Sequence, residues 1–427
     1  MESRRVRTGA YPTTTWSTAD GELDLKQGRF VRIPERPDDL QVLWDEGILL
    51  DATDHKDGTS LPKWLDQETA KNYRRVGIVA TAGLEPNDRQ PQTLYREELA
   101  ELERCGLILD PPAEVDAAEH HVYLRRLQRS QVWSIGLYEL NWQATSSPQL
   151  TSLTVRPATG ITNPILTRDD VTDVPAAFVA DPFMICVGST WHMLFEVLNW
   201  KSGNGEIGWA TSPDGLHWKY EQIVLAEPFH LSYPQVFEWQ GEYYLLPECH
   251  ASGSVRLYRA KSFPTEWELA ATLLTGGMFQ DPTLVRHQDR WWLFVETSPD
   301  IKHDTFRLYF ADNLFGPWQE HPLSPLRTDD PRHSRPAGKI LSNGMQLVRF
   351  SQDCTTDYGA AVYAHFITKL TPTEYVESEL SDLPLLSAGA EDWNAAGMHH
   401  LDAIVERATS EVFLVVVDGW RWGNCGW

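Results

Sequence analysis

The chain has 427 residues, of which 42% are hydrophobic, and this is enough to bury a sizeable core. Its formal net charge of -23 at pH 7 would repel a nucleic-acid backbone or an anionic membrane surface, so neither is expected as a partner. The five cysteines form no C-x-x-C pair, and no stretch reaches the roughly 18 apolar residues of a membrane helix. These features predict a reduced, cytoplasmic protein with no disulfide framework, no membrane span, no cofactor and no metal.

Residues 1–131 differ in pattern from the rest of the chain. The run RVGIVAT (75–81) is typical of one short strand. Two segments, 92–105 and 114–129, have leucine and valine at helical spacing, and the prolines of LDPP (109–112) separate them. The sequence therefore predicts a small, mainly helical N-terminal extension, and it indicates no purpose for it.

From residue 132 onward the sequence repeats. The segments ADPF (180–183), SYPQ (232–235), QDPT (280–283) and SRPA (334–337) follow one another at steps of 52, 48 and 54 residues. In the first three units a glutamate stands fifteen residues after the residue that precedes proline, at Glu196, Glu248 and Glu296. A unit of about 50 residues with four short strands is typical of a propeller blade.

Counting the units gives five blades, which begin near residues 180, 232, 280, 334 and 399. Only two strands fit after residue 399, so the last blade is too short to close the ring and would leave open edges. The strand-like segment 132–156, upstream of blade one, can supply the missing strands. Residues 132–427 are therefore predicted to form an all-β, five-bladed propeller.

The first strand of each blade lines the central channel, so residues far apart in sequence should meet there. These residues are Asp181, Tyr233, Asp281, Arg335, His399, His400 and Asp402. Two carboxylates across a funnel suit glycoside hydrolysis, which makes Asp181 and Asp281 catalytic candidates. Glu248 follows an apolar strand that could raise its pKa, and it is the first candidate for a proton donor.

The remaining polar candidates would bind the substrate. Arg335 and Arg349 could clamp a phosphate or carboxylate. The predicted substrate-binding set is Arg335, Tyr233, His230, Arg349, Asp353, His399, His400 and Asp402. Structural alternatives stay open, because Asp-Pro can be a turn device and the repeated glutamates can be structural. A His-His-x-Asp run is more often a hydrogen-bonded lining than a metal site.

Five blades with Asp-Pro opening the first and third resemble the glycoside hydrolase clan of arabinanases, xylosidases and levansucrase-type enzymes. The resemblance implies that Asp181 is a general base and that Asp281 tunes and orients. The general acid of the arabinanases is a Glu opening blade four, where this chain has Arg335. That difference puts simple inverting hydrolysis in doubt.

A more specific resemblance runs in order across all five blades. The motifs WSIGLYE (133–139), FVADPF, HLSYPQVFE, QDPTL, RPAGK, SQDC and GMHHLD are similar to the propeller that precedes the glycosyltransferase in plant glucosamine inositolphosphorylceramide transferases. This resemblance implies a carbohydrate or glycoconjugate ligand and makes a separate glycosyltransferase a candidate partner.

Three functions remain open. The chain could be a glycoside hydrolase or transglycosidase acting on a glycan or glycoconjugate. It could instead be a non-catalytic sugar-recognition module, or a protein-interaction scaffold, because propellers serve all three purposes.

Overall fold

A computed structural model of the chain describes residues 131–143, 152–199, 201–342, 346–403 and 413–422 in full, and elsewhere only the backbone of strands. The chain divides into two compact units. One comprises Met1–Val132 with Trp422–Trp427, and the other comprises Trp133–Arg421. No helix in the described part of the chain is long and apolar enough to cross a membrane.

The first unit contains two small sheets. Their strands are β1 (Val6–Arg7), β2 (Thr15–Thr18), β3 (Gly21–Asp24), β4 (Ile48–Asp51), β5 (Arg75–Thr81) and β6 (Val122–Gln128). The sheet orders are β1-β2-β3 and β4-β5-β6. Strand β5 is the strand predicted from RVGIVAT. Strand β6 replaces the end of the second predicted helix, because antiparallel pairing with β5 satisfies its backbone groups. The rest of that helix (114–121) and the helix over 92–105 lie outside the described residues.

The second unit is the predicted five-bladed, all-β propeller. It begins with β7 (Ser130–Gln143) and β8 (Ser152–Pro157). Blade one consists of β9 (Ala176–Val187), β10 (Thr190–Asn199), β11 (Asn204–Ser212) and β12 (Lys219–Leu225). Blade two consists of β13 (Ser232–Trp239), β14 (Glu242–Glu248), β15 (Ser254–Ser262) and β16 (Glu266–Thr275).

The later blades follow the same plan. Blade three consists of β17 (Gln280–His287), β18 (Arg290–Glu296), β19 (Phe306–Ala311) and β20 (Gln319–Glu320). Blade four consists of β21 (Leu341–Ser342), β22 (Leu347–Asp353), β23 (Ala361–Leu370) and β24 (Tyr375–Glu379), with β25 (Leu386–Ser387) paired to β23. Blade five adds β26 (Leu401–Ala403) and β27 (Val412–Gly423) in the order β26-β27-β7-β8. The first and last propeller strands therefore lie in one sheet. Among the described residues of the propeller, short 3-10 turns at Arg168–Asp170, His250–Ser252 and Asp392–Asn394 lie in the connections.

The core lies between neighbouring blades. Alternate side chains of each strand point to one face of its sheet, and that face packs against the next blade. Between blades one and two, for example, Phe183 and Leu194 pack with Tyr233, Val236 and Leu245. Burying such faces removes apolar surface from water, so the blades stabilise one another.

The repeated X-Pro steps form β-bulges. The residues before proline in blades one to three adopt the left-handed backbone conformation, with φ of 52° at Asp181, 47° at Tyr233 and 48° at Asp281. The strand register shifts at the same places, opposite the repeated glutamates. Each bulge turns its N–H group toward a carboxylate of the preceding blade. The bonds are Asp181 N to Asp418 Oδ2 (2.9 Å), Tyr233 N to Asp181 Oδ2 (3.2 Å) and Asp281 N to Glu248 Oε2 (2.9 Å). A non-glycine residue held in this region costs roughly 1–3 kcal/mol, and these bonds hold it there.

Arg349 belongs to a buried ion pair of blade four. Its guanidinium donates to both oxygens of Glu377 at 2.8 Å and stacks 4.4 Å from the centroid of Phe306 in blade three. Glu377 also accepts hydrogen bonds from Tyr375 and Arg327. The arginine therefore joins two blades.

Replacing Arg349 by methionine should lower the free energy of unfolding by about 2 kcal/mol, because charged hydrogen bonds are lost while Arg327 and Tyr375 keep Glu377 partnered. Urea denaturation of the variant and the wild type measures this. An unchanged unfolding midpoint would contradict the structural role.

Candidate functional site

A pocket of about 200 Å³ opens where the first strands of the blades converge. Residues of all five blades line it, and most of them have acidic, imidazole or aromatic side chains. The lining residues are Trp133, Phe178, Ala180, Asp181, Glu196, His230, Ser232, Glu248, His250, Gln280, Ile301, Arg335, Tyr358 and His399. The pocket thus combines flat apolar rings with buried charged groups, the composition of many small-molecule sites.

One side of the pocket is a chain of three buried groups. Asp418 Oδ1 lies 2.8 Å from His399 Nδ1, and His399 Nε2 lies 3.6 Å from Asp181 Oδ1. The His399 ring packs against Trp133 with a centroid separation of 4.0 Å and an interplanar angle of 31°. Burial, together with the nearby carboxylates of Asp281 and Asp418, raises the pKa of Asp181 well above its ordinary value.

The other side is organised around Arg335. Its guanidinium donates two hydrogen bonds to Asp281, from Nε to Oδ2 at 2.7 Å and from Nη2 to Oδ1 at 3.2 Å. The Nη2 group also donates to Glu248 Oε2 at 3.2 Å. The second Glu248 oxygen lies 2.7 Å from His250 Nδ1. Burial opposes the charged form of Glu248, yet Arg335 and His250 outweigh it and lower the pKa of Glu248 well below its ordinary value.

A third carboxylate, Glu196, faces the same pocket from blade one. Its Oε1 atom lies 3.1 Å from His230 Nε2. The Gly205 N–H donates to His230 Nδ1 at 2.9 Å, so the ring proton of neutral His230 sits on Nε2. Glu196 and His230 are therefore in contact, although the angle at Nε2 does not give a hydrogen bond to Oε1.

The structure brings five of the predicted site residues together at the pocket surface: Asp181, His230, Glu248, Arg335 and His399. Asp281 does not line the pocket. It is 1% exposed and lies behind Arg335, where it also accepts a hydrogen bond from Gln352. Of the predicted pair Asp181 and Asp281, only Asp181 therefore lines the pocket, and the other lining carboxylates are Glu196 and Glu248.

Two further candidates fill the propeller axis instead of lining the pocket. Tyr233 and His400 pack edge to face on each other and on Phe183, with centroids 4.6 to 5.3 Å apart. The Tyr233 hydroxyl lies 2.8 Å from Thr283 Oγ1 and accepts from the Gly338 N–H at 2.6 Å. His400 Nε2 lies 2.9 Å from the carbonyl oxygen of Pro182. Because these contacts are made with neighbouring blades, Tyr233 and His400 contribute to the packing between blades.

The last three candidates also have protein partners away from the lining. Asp402 accepts from the Met184 N–H at 2.7 Å and pairs with Lys339 at 3.1 Å. Asp353 accepts from the Thr355 N–H at 2.9 Å, which closes a local turn. Arg349 forms the ion pair with Glu377 inside blade four that is described above. The sequence prediction relied on polar residues at strand ends. Such residues occur both at the pocket and in contacts between strands, so the pattern did not separate the two groups.

Two residues of the site, Glu196 and Asp418, were not among the residues predicted from the sequence. Glu196 lines the pocket, whereas its repetition left a structural role open as the alternative. Asp418 was not considered, yet it stands behind His399 and is fully buried. A lone aspartate inside the apolar run VVVDGW was the signal, because a buried charge needs a specific partner.

The described residues bring one group together that could hold a metal ion: Asp181, His399 and Asp418 have ligand atoms within 4.8 Å of one another. The Asp418 oxygens, however, already accept from the Asp181 N–H, the His399 N–H and the His399 ring. The contacts therefore form a hydrogen-bonded chain, and nothing in the arrangement requires an ion.

The described fold defines a five-bladed β-propeller with one axial pocket of buried acids and aromatic rings. The chain belongs to the family described as "Glucosamine inositolphosphorylceramide transferase 1, N-terminal", whose model matches residues 127–420. This confirms the resemblance that the ordered motifs indicate.

Curated relatives carry the same name. The protein of Oryza sativa subsp. japonica is 36% identical over 269 residues, covering 61% of this chain and 36% of the relative. The protein of Arabidopsis thaliana is 32% identical over 300 residues, covering 68% of this chain and 39% of the relative. The chain thus spans less than half the length of these relatives.

Two solved structures are similar to part of the chain. The alpha-L-arabinanase of Cellvibrio cellulosa has a TM-score of 0.41 at 17% identity, covering 57% of this chain and 90% of that chain. Zg3597, a family 117 glycoside hydrolase of Zobellia galactanivorans, has a TM-score of 0.40 at 15% identity, covering 57% of this chain and 84% of that chain.

Proposed function

We propose that the axial pocket binds the sugar part of a glycoconjugate and cleaves or transfers a glycosidic bond there. The observation that carries the proposal is the pair of pocket-lining carboxylates Asp181 and Glu248, whose surroundings give them opposite affinities for a proton. When the surroundings of two carboxyl groups shift their pKa values in opposite directions, the group with the raised pKa can serve as the acid and the other as the base.

In the proposed reaction Asp181 is the proton donor. Its carboxylic acid protonates the glycosidic oxygen as the bond from that oxygen to the anomeric carbon breaks. Glu248 stays ionised, stabilises the positive charge that develops on the sugar ring, and takes the proton of the attacking water or acceptor hydroxyl. These roles reverse those expected from the sequence, because burial among carboxylates favours protonated Asp181 while Arg335 favours charged Glu248.

Aromatic side chains support a sugar as the ligand. Trp133 and Tyr358 both line the pocket, with ring centroids 6.1 Å apart at an interplanar angle of 72°. Their apolar faces can cover the C–H face of a sugar while the acids bind its hydroxyl groups. The name of the relatives, glucosamine inositolphosphorylceramide transferase, makes the glycosylated inositol phosphate headgroup of a sphingolipid our proposed ligand class.

One observation favours a second function, recognition of a glycan without turnover. Both Glu248 oxygens already have protein partners, Arg335 and the Asp281 N–H on one side and His250 on the other. A carboxylate whose two oxygens already have hydrogen-bond partners in the protein is a poor base. In that case the pocket would present sugars to a separate glycosyltransferase.

The two functions separate in one experiment on the full chain. Release of 4-nitrophenol from a panel of 4-nitrophenyl glycosides, including α- and β-glucosaminides, is measured across pH, and binding of the parent sugars is measured by calorimetry. We expect turnover with a bell-shaped pH profile. It falls at high pH as Asp181 loses its proton and at low pH as Glu248 gains one. Arg349→Met, which lies outside the pocket, should keep the same profile.

Saturable sugar binding without turnover would contradict catalysis and support recognition of a sugar as the function of the pocket. Absence of both would contradict the proposed function altogether and leave the scaffold function.

A further inference from the structure

Asp418 is a fully buried acid on β27 that does not line the pocket, and its carboxylate accepts hydrogen bonds from Asp181 and His399. Its Oδ2 atom accepts from the backbone N–H of Asp181 at 2.9 Å. Its Oδ1 atom accepts from the backbone N–H of His399 at 3.3 Å and lies 2.8 Å from the ring Nδ1 of His399. One carboxylate thus contacts both partners of the pair His399 and Asp181.

We propose that Asp418 is a positioning residue of the pocket: it holds His399 in the Nδ1–H tautomer, so that the Nε2 lone pair faces the side chain of Asp181. A carboxylate can only accept at Nδ1, and the proton of neutral imidazole must then sit there. The catalytic consequence rests on the proposed function, whereas the tautomer does not.

Comparison with the other bulge-capping acids shows what is special about Asp418. Asp181 and Glu248 also cap the bulge of the following blade, and each lines the pocket itself. Asp418 caps a bulge in the same way but reaches the pocket only through His399. A cap alone does not need a second charged contact. The short bond to the ring therefore points to control of His399.

The ring of His399 is confined on its other faces as well. Trp133 packs along it at 4.0 Å, and Tyr358 meets it edge to face at 5.2 Å and 79°. These contacts leave little room for the ring to turn, so Nε2 stays 3.6 Å from Asp181 Oδ1.

Asp418 also acts on Asp181 through its charge. The titratable and charged groups around Asp181 are Asp281, Asp418, Glu196, Arg335, His399 and His400. The negative charge of Asp418 is one cause of the raised pKa of Asp181, so removing it should lower that pKa. With Asp181 as acid, the high-pH limb of the activity profile would then move to lower pH.

The tautomer is tested by nitrogen-15 NMR of the histidine rings in the full chain, without any ligand. His399→Gln assigns the His399 signals by removing them. We expect neutral wild-type His399 to show the Nδ1–H tautomer, and Asp418→Asn to show a mixture or the Nε2–H tautomer. Asp402→Asn is the matched control, because Asp402 is another buried blade-five acid that caps a backbone N–H but does not contact His399.

Three results would overturn the proposal. The first is an Nε2–H tautomer in the wild type, which decides the question even where Asp418→Asn fails to fold. The second is an unchanged tautomer in a folded Asp418→Asn protein. The third is a stoichiometric shift of the wild-type His399 signals on adding Zn²⁺ or Ca²⁺, which would make the group a metal site.

Failure of the proposed function would look different. In that case no glycoside is cleaved, while the tautomer and its loss in Asp418→Asn remain as expected. With an active glycoside, Asp418→Asn should lower turnover at pH 8 at least tenfold more than at pH 5. An equal loss at both pH values would restrict Asp418 to a general structural role.

Discussion

Replacing Arg335 by methionine should lower the free energy of unfolding by about 3–5 kcal/mol, because it removes one partner of a buried ion cluster. Arg335 is 7% exposed and holds the carboxylates of Asp281 and Glu248 together. Without the guanidinium two buried acids face each other with no cation between them. Urea denaturation at pH 7 measures the loss.

The pH dependence of this loss identifies its cause. In Arg335→Met the folded-state pKa values of Asp281 and Glu248 should lie above their unfolded values, so the folded state binds more protons between those values. The variant should therefore regain stability as the pH falls from 7 toward 4. Adding Asp281→Asn to Arg335→Met should restore part of the stability at pH 7. A loss that is the same at both pH values would contradict the electrostatic explanation.

The same cluster explains why Arg335 is a poor anion clamp. Its donors already reach Asp281, Glu248 and Gln280, and its guanidinium lies 4.9 Å from the centroid of Tyr358. A phosphate would have to displace carboxylates to bind there. Arg335 therefore contributes to the site by keeping Glu248 ionised.

The propeller was predictable because the repeat has a geometric cause. In blades one to three the X-Pro step is a bulge. The glutamate pairs across the strands with the residue that precedes the X-Pro step, as in the pairs Ser232 with Glu248 and Gln280 with Glu296. A bulge that recurs in register leaves the same spacing in these three blades. Strand β6 was misjudged because its partner, β5, lies more than 40 residues away, and local periodicity does not report such pairing.

The pocket was only partly predictable, because the side-chain partners of a residue decide whether it lines the pocket or is covered. Asp181 and Asp281 occupy equivalent places in their blades, yet Asp281 is covered because blade four places Arg335 against it. Nothing in the local sequence of Asp281 signals that cover. The repeated Glu196 and Glu248 likewise share one offset and differ in their neighbours, His230 for the first and Arg335 with His250 for the second.

Asp181→Asn should reduce turnover of a cleaved glycoside by about 10²–10⁴-fold, which is the usual contribution of one general acid. The amide keeps the size of the side chain, and its oxygen can still accept from the Tyr233 N–H, so the bulge and the fold should remain. It cannot release a proton to the glycosidic oxygen. Sugar affinity should therefore change little while turnover collapses. The same glycoside assay and calorimetry measure both quantities.

Two comparisons make this result specific to the acid. Asp402→Asn removes an equally buried acid whose oxygen caps a backbone N–H outside the pocket, and it should leave turnover within a few-fold of the wild type once folding is verified. A glycoside with a good leaving group, such as a 2,4-dinitrophenyl glycoside, needs little protonation and should be cleaved by Asp181→Asn far better than one with a poor leaving group. If both glycosides lose activity equally, Asp181 serves as the charged carboxylate and Glu248 takes the role of acid, because only loss of the proton donor depends on the leaving group.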